Sequence, residues 1–152
     1  MKLTNFQVAY LAGFVDADGC ISITKRTDKE YKRGHSFYCN VRIVNTNKEM
    51  IEWVKERTEL GSIQQRTDPN PRHKVRYEWK ISGQNAFNLC VMLQPFLRVK
   101  AEQAKILIEF HRLKKDNHKT GRNGVPKEKW DKMEALRDRI SRLNKRGTTI
   151  PT

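Results

Sequence analysis

The sequence predicts an α+β fold in which a four-stranded antiparallel sheet carries helices on one of its faces. Some segments place apolar residues at the spacing of a helix, and others alternate apolar and polar residues as a strand does. Along the chain these segments follow the order helix, hairpin, helix, hairpin and then further helices, an αββαββα pattern. We therefore expect a sandwich whose sheet leaves its second face open to solvent.

The first helix and the first hairpin come at the N-terminal end. Thr4 or Asn5 can cap the helix, and its end is expected at Asp18. Residues from about 20 to 26 then alternate as a strand, and a polar loop connects them to a second strand at about 37–43. The alternation predicts that one face of this hairpin is buried.

The second part of the predicted core repeats this order. The Asn45-Thr46-Asn47 segment is a suitable start for a second helix, whose end is expected at Gly61. A turn-rich Asp-Pro-Asn-Pro segment then joins the strands of a second hairpin. The predicted strands and the third and fourth helices lie at about 63–67, 75–82, 84–93 and 100–113.

The C-terminal part is predicted to be one further helix. The segment from 114 to 126 is polar and contains Gly and Lys, so it is a predicted linker between a core at 1–113 and a helix at 127–146. An apolar stripe predicts that this helix packs on the core, and 147–152 is a predicted tail. The stripe consists of Trp130, Met133, Leu136, Ile140 and Leu143.

The charge balance indicates the class of partner. The 152 residues include 31 Lys and Arg against 17 Asp and Glu, a formal net charge of +14. Such a surplus favours a polyanion, nucleic acid above all. Three cysteines without Cys-x-x-Cys spacing argue against a zinc site or a disulfide framework. With no run long enough to span a membrane and no signal-peptide pattern, we expect an intracellular protein without a membrane partner.

The polar face of the predicted sheet suits DNA. Arginine matches the edge of guanine, and asparagine or glutamine matches adenine. Basic residues in the connecting hairpins suit phosphate contacts. An ordinary solvated sheet face is the alternative interpretation. The candidate DNA-binding residues are Ser22, Thr24, Arg26, Tyr38, Asn40, Arg42, Gln64, Arg66, Arg76, Glu78 and Lys80.

Small residues form a stripe on the first helix. Ala9, Ala12, Gly13 and Asp16 have spacings that place them on one helical face. Glycine inside a helix costs about 1 kcal/mol relative to alanine, and close packing on a second helix would offset this cost. The sequence has one such segment, so a second copy of the chain is the expected partner, in a two-fold homodimer. Packing of the stripe on the protein's own sheet is the alternative.

Asp18 stands at the end of this helix. A turn aspartate before glycine is common, and by itself it indicates no more than a helix end. In a homodimer that crosses at Gly13, the two Asp18 carboxylates would lie close together, where repulsion requires a divalent cation or a proton. Oxygen ligands beside phosphates favour Mg²⁺, with about two ions or more per dimer and at least one shared between the subunits.

The run Leu-Ala-Gly-Phe-Val-Asp-Ala-Asp-Gly at 11–19 resembles the motif of the LAGLIDADG homing endonucleases, from which Phe14 and Val15 depart. Two further segments are similar to segments of that family. They are Val44-Asn45-Thr46, and the Leu-Gln-Pro-Phe-Leu run at 93–97 with the basic residue that follows it. The chain therefore resembles the single-motif, homodimeric kind that is found with group I introns.

The resemblance implies a site-specific double-strand DNA endonuclease whose saddle-shaped sheets lie along the major groove. It implies that Asp18 and the carbonyl of Ala17 bind the metal. It further implies that Lys100 lies near the scissile phosphate and that Asn45 organises the attacking water. Some relatives carry a basic residue where this chain has Glu49, so the positioning of solvent is expected to differ.

The implied reaction is Mg²⁺-dependent hydrolysis of a phosphodiester on each strand of a long pseudo-palindromic target. The alternatives within the same family are an RNA maturase that acts on intron RNA and a DNA-binding protein that does not cleave. A structural nucleic-acid protein with an accidental motif is a third alternative. We expect the protein in an organelle (chloroplast or mitochondrion) or in archaeal or bacterial cytoplasm.

Overall fold

The computed structural model describes residues 1–116 and 124–145, and these form an α+β fold. In chain order the elements are α1 (Asn5–Asp18), β1 (Gly19–Thr27), β2 (His35–Asn45), α2 (Lys48–Thr58), β3 (Ser62–Arg66), β4 (Arg76–Ser82), α3 (Gly83–Leu93), α4 (Ala101–Lys115) and α5 (Lys127–Leu143). The strands form one antiparallel sheet with the order β1-β2-β4-β3. The predicted fold class and element order are confirmed.

A capping box starts α1 and a crowded glycine ends it. The Thr4 hydroxyl accepts from the Gln7 N–H at 3.2 Å, and the Gln7 side chain accepts from the Thr4 N–H at 3.0 Å. At the other end, a Cβ on Gly19 would lie 2.6 Å from the carbonyl oxygen of Val15. Glycine is therefore required where α1 turns directly into β1, and this turn carries Asp18 to the edge of the sheet.

The core lies between one face of the sheet and the helices. Val41 and Ile43 on β2 are fully buried on this face, as is Trp79 on β4, whose Nε1 donates to the carbonyl of Leu60 at 2.9 Å. The buried side of α1 packs into the same core. Because successive side chains of a strand alternate between faces, the residues between these core positions lie on the opposite, polar face.

The end of α2 differs from the prediction. The helix ends at Thr58, and Glu59 rather than a glycine takes the left-handed conformation, with φ of 57°. Gly61 also has a positive φ, 82°, and a Cβ there would lie 2.6 Å from the side chain of Ile81. The glycine thus serves the close approach of the chain to β4, while the helix stops one turn earlier.

The predicted domain boundaries are partly within the described residues. α4 continues through Lys115, so the core extends beyond the predicted boundary at 113. Most of the predicted linker, 117–123, and the predicted tail, 147–152, lie outside the described residues. α5 packs on the core, with the ring of Trp130 centred 4.9 Å from that of Phe37. In the part of the chain that the structure describes, no helix is long and apolar enough to cross a membrane.

Candidate active site

The end of α1 opens onto a cleft of about 770 Å³ at the polar face of the sheet. α1 contributes Asp18 to it, and the segment before α4 contributes Lys100. Strands β2, β3 and β4 add charged side chains, which are Arg42, Arg66, Arg76 and Glu78. The cleft therefore brings one exposed carboxylate and several cations to the same place.

Asn45, the last residue of β2, holds the carboxylate of Asp18. Its Nδ2 donates to Asp18 Oδ2 at 2.8 Å, and its Oδ1 accepts from the backbone N–H of Asn47 at 2.7 Å. A carboxylate can only accept and a backbone N–H can only donate, so these partners determine which way the amide points. The structure brings Asn45 to Asp18, but it directs the amide at the carboxylate, whereas the resemblance implied a role in organising water.

Asp16 connects α1 to the segment before α4. Its Oδ2 accepts from the N–H of Arg98 at 2.8 Å, and its Oδ1 accepts from those of Val99 at 3.2 Å and Lys100 at 2.9 Å. Burial opposes ionisation, but the three N–H donors and the Lys100 ammonium outweigh it and lower the pKa of Asp16 below its ordinary value. The carboxylate thus binds within the subunit and orients the end of α1, and its place at a dimer interface stays a prediction.

Lys100 is positioned by its contacts with Asp16. Its Nζ donates to the backbone carbonyl of Asp16 at 2.5 Å. The last carbonyls of a helix lack partners within the helix and form the negative end of its dipole, so an ammonium group is favoured there. Two acids separated by one residue therefore have different tasks. Asp16 fixes the lysine beside the cleft, and Asp18 remains exposed to the cleft.

The small residues of α1 divide between two faces of the helix. Ala12 is fully buried in the protein's own core, so its assignment to a dimer interface is wrong. Ala9 and Gly13 are exposed, and a Cβ on Gly13 would meet no atom within 4 Å. Phe6 and Tyr10 lie on the same side and are 89% and 56% exposed. We refer to these four exposed residues as the outer α1 face.

Two of the predicted DNA-binding residues are buried. Asn40 is 5% exposed, and its Nδ2 donates to Thr24 Oγ1 at 2.9 Å and to the carbonyl of Tyr38 at 3.1 Å. It therefore fastens β1 to β2 and is not available to a base. Glu78 is also 5% exposed and pairs with arginines. The other predicted residues of this face are exposed or half-buried: Ser22, Thr24, Arg26, Tyr38, Arg42, Gln64, Arg66, Arg76 and Lys80.

A family model described as LAGLIDADG endonuclease matches residues 11–115. The match covers more than half of the chain and includes Asp18, Asn45 and Lys100. The chain belongs to the LAGLIDADG endonuclease family. No curated protein matches its sequence at a significant level.

Solved structures of LAGLIDADG proteins share the fold. The homing endonuclease I-CvuI, in complex with the I-CreI target, aligns over 95% of this chain and 87% of its own, with a TM-score of 0.76 and 21% identity. The archaeal intron-encoded homing endonuclease I-Vdi141I, complexed with DNA, aligns over 97% and 90%, with a TM-score of 0.75 and 18% identity. I-LtrWI, bound to target DNA, aligns over 91% of this chain but 45% of its own, with a TM-score of 0.71 and 15% identity.

The donor set of this LAGLIDADG chain suits a hard divalent cation only in part. The exposed carboxylate of Asp18 provides oxygen ligands of the kind that Mg²⁺ and Ca²⁺ prefer. Within residues 1–116 and 124–145, however, no group of three or more His, Cys, Asp or Glu side chains could hold a metal ion. One subunit therefore offers the Asp18 carboxylate as a side-chain ligand, and the remaining ligands of a metal ion would be backbone carbonyls, phosphate oxygens, water or groups of a second subunit.

The C-terminal helix reaches the same cleft, which the sequence did not indicate. Asn144 Nδ2 donates to the carbonyl of Ile21 at 2.8 Å, on the outer edge of β1. Leu143 and Lys145 line the cleft on this side, and the buried side chain of Gln103 lines it from α4. The apolar stripe of α5 predicts that the helix packs on the core, but it does not predict which edge of the sheet it follows.

Proposed function

We propose that this protein is a site-specific endonuclease that hydrolyses a phosphodiester on each strand of double-stranded DNA, as a homodimer and with Mg²⁺. The observation that carries the proposal is the cleft beside a basic sheet face that both Asp18 and Lys100 line. Membership of the LAGLIDADG endonuclease family and the fold shared with DNA-bound homing endonucleases support it.

Asp18 and the carbonyl of Ala17 would hold the metal, together with phosphate oxygens and the equivalent groups of a second subunit. When bound, Mg²⁺ lowers the pKa of water and neutralises charge on the leaving oxygen. Asn45 keeps the Asp18 carboxylate in one orientation through the 2.8 Å bond to Oδ2. An acid held in advance loses less conformational entropy when it binds a cation, so the site is prepared before DNA arrives.

Lys100 would stabilise charge at the phosphate during the reaction. Its Nζ is held at the end of α1, 2.5 Å from the Asp16 carbonyl, and it lines the same cleft as Asp18. A preorganised cation is most effective where negative charge develops in a site that excludes water. The histidines in the described part of the chain do not line this cleft, and the proposed reaction gives none of them a role.

The outer α1 face supports a homodimer. Phe6 and Tyr10 are large and exposed, and Gly13 leaves room for the close approach of another backbone. The chain aligns with 45% of I-LtrWI, a neighbour about twice as long, whereas it aligns with most of I-CvuI. A second copy on this face would also bring a second Asp18 toward the first, and with it the missing oxygen ligands. A symmetric dimer is expected to prefer a pseudo-palindromic target.

The decisive experiment compares the wild type with Asp18→Asn on a randomised library of duplex DNA. Asp131→Asn, an exposed acid on α5, is the matched control for loss of one negative charge. We expect the wild type and the control to cleave a selected sequence with Mg²⁺ and to bind it without cleavage with Ca²⁺. Asp18→Asn should bind the same sequence and not cleave it, because the substitution removes a charged metal ligand and leaves the sheet intact.

Two outcomes would reject the proposal. A wild type that selects a DNA sequence but does not cleave it, whichever divalent cation is added, would be a DNA-binding protein of the same fold. A wild type that prefers structured intron RNA to any duplex would support the maturase alternative.

A further inference from the structure

A buried carboxylate lies in the middle of the basic sheet face. Glu78 is 5% exposed, although the strands around it carry arginines and the face is proposed to meet a polyanion. Burial of a carboxylate is unfavourable unless the charge is paired, and its negative charge also repels phosphates. A residue with both disadvantages in this position requires a specific explanation.

Each carboxylate oxygen of Glu78 faces a different arginine. Oε1 lies 3.0 Å from Nη2 of Arg66 on β3, and Oε2 lies 3.9 Å from Nη1 of Arg42 on β2. β4 lies between these two strands, so one acid reaches a guanidinium on either side. The side chains of Arg66 and Arg42 are nonetheless 52% and 49% exposed, and both line the cleft.

We propose that Glu78 is a positioning residue that makes Arg42 and Arg66 read guanine at the base pairs nearest the cleavage site. A guanidinium has five N–H donors in a rigid fork. Arg66 donates one of them to Glu78 and Arg42 is drawn to Glu78 as an ion pair at 3.9 Å, so both keep other donors for O6 and N7 of guanine. An unrestrained arginine would turn to the nearest phosphate, a contact that carries no sequence information. Both arginines line the cleft that contains Asp18, which places their bases near the cleaved bond.

This inference rests on the proposed function and deepens it. It also separates affinity from specificity, because Glu78 lowers the general attraction to DNA while it improves the choice of sequence. A structural ion pair without this role would affect the stability of the fold and leave the selected sequence unchanged.

The test is Glu78→Gln, which keeps the size of the side chain and removes its charge. Glu56→Gln, on the exposed side of α2, removes the same charge away from the sheet. Sites bound in Ca²⁺ are selected from a randomised duplex library, and affinity for a non-specific duplex is measured against salt concentration. We expect the preference for guanine at the base pairs read by Arg42 and Arg66 to fall about tenfold in Glu78→Gln. Its non-specific binding should strengthen, with a salt slope steeper by about one.

A guanine preference in Glu78→Gln equal to that of Glu56→Gln would overturn the inference. Because a buried substitution can unfold the chain, the melting temperature is measured in parallel, and Arg66→Lys provides a second test at an exposed residue. The lysine keeps the charge but lacks the fork, so discrimination should fall at one of the same positions, and an unchanged profile would count against the role of Glu78. A wild type without any sequence preference would overturn the proposed function, and this inference with it.

Discussion

The contact between Asp16 and the segment before α4 gives the sharpest prediction. Asp16→Ala removes the acceptor for the N–H groups of Arg98, Val99 and Lys100. We expect the free energy of unfolding to fall and cleavage to slow, because the same contact holds the backbone of Lys100 beside the cleft. Binding of DNA should change much less, because the exposed arginines of the sheet face are not involved.

The magnitude follows from the three bonds. A hydrogen bond to a charged group contributes about 1.5–3 kcal/mol, but Asp16 is only half-buried and water will replace part of what is lost. We expect Asp16→Ala to cost about 2–3 kcal/mol of unfolding free energy. Asp16→Asn keeps one acceptor oxygen and should cost about 1 kcal/mol. A shift of Lys100 by about 1 Å can slow catalysis up to about a hundredfold.

The pH dependence provides an independent check. The folded pKa of Asp16 lies below its ordinary value of 3.8, so the ionised carboxylate stabilises the fold. This contribution is complete above the unfolded pKa and is lost as the pH falls through the lower folded pKa. Urea denaturation should therefore show a constant difference between wild type and Asp16→Asn from about pH 6 to 8, and a smaller difference below about pH 4.

Asp131→Ala is the control, since Asp131 is an exposed acid of α5. It should leave both stability and cleavage near those of the wild type. If Asp16→Ala unfolds within about 0.5 kcal/mol of the wild type and cleaves at the same rate, the contact does not organise the site.

Three further changes test other contacts. Gly13→Ala should stabilise the isolated subunit by up to about 1 kcal/mol in denaturation and weaken the dimer in sedimentation; an unaffected dimer would exclude a crossing at this residue. Asn45→Ala should raise the Mg²⁺ concentration needed for half-maximal cleavage and the Ca²⁺ concentration needed for DNA binding, because the Asp18 carboxylate is no longer held. If only the maximal rate of cleavage falls, Asn45 instead places water. Asn144→Ala should cost about 1 kcal/mol and increase amide exchange near Ile21, and unchanged exchange would show that α5 does not protect the edge of β1.

The repeating patterns of the chain were sufficient to predict the fold class. Period-two alternation in the hairpins and helical spacing between them reflect burial on one side, which is a property of each segment alone. The N-cap of α1 and its end at Asp18 were also predictable, because capping depends on neighbouring residues. The same alternation predicted one buried face for the first hairpin, and Phe37 on that face is 2% exposed.

What the sequence did not indicate depends on partners that are distant along the chain. The stripe of small residues grouped Ala12 with Gly13, but consecutive residues point about 100° apart around a helix, so packing buries Ala12 and leaves Gly13 exposed. Asn40 alternates as a polar-face residue, yet it is 5% exposed and its amide group donates to Thr24 and to the carbonyl of Tyr38. Likewise, no local pattern indicates that Glu78 meets arginines from both neighbouring strands.

The candidate site shows how a short motif can organise several parts of the chain at once. α1 ends at the sheet because only glycine fits at position 19, and this fixes where Asp18 emerges. Because one residue separates the two acids, their side chains leave α1 in different directions. Asp16 faces the segment before α4, and Asp18 faces the cleft. Asn45 then reaches Asp18 from the end of β2. Asp18 is thus positioned by α1, by β2 and, through Asn47, by the start of α2. A substitution at any of these supports should therefore change the metal dependence of cleavage more than it changes the affinity for DNA.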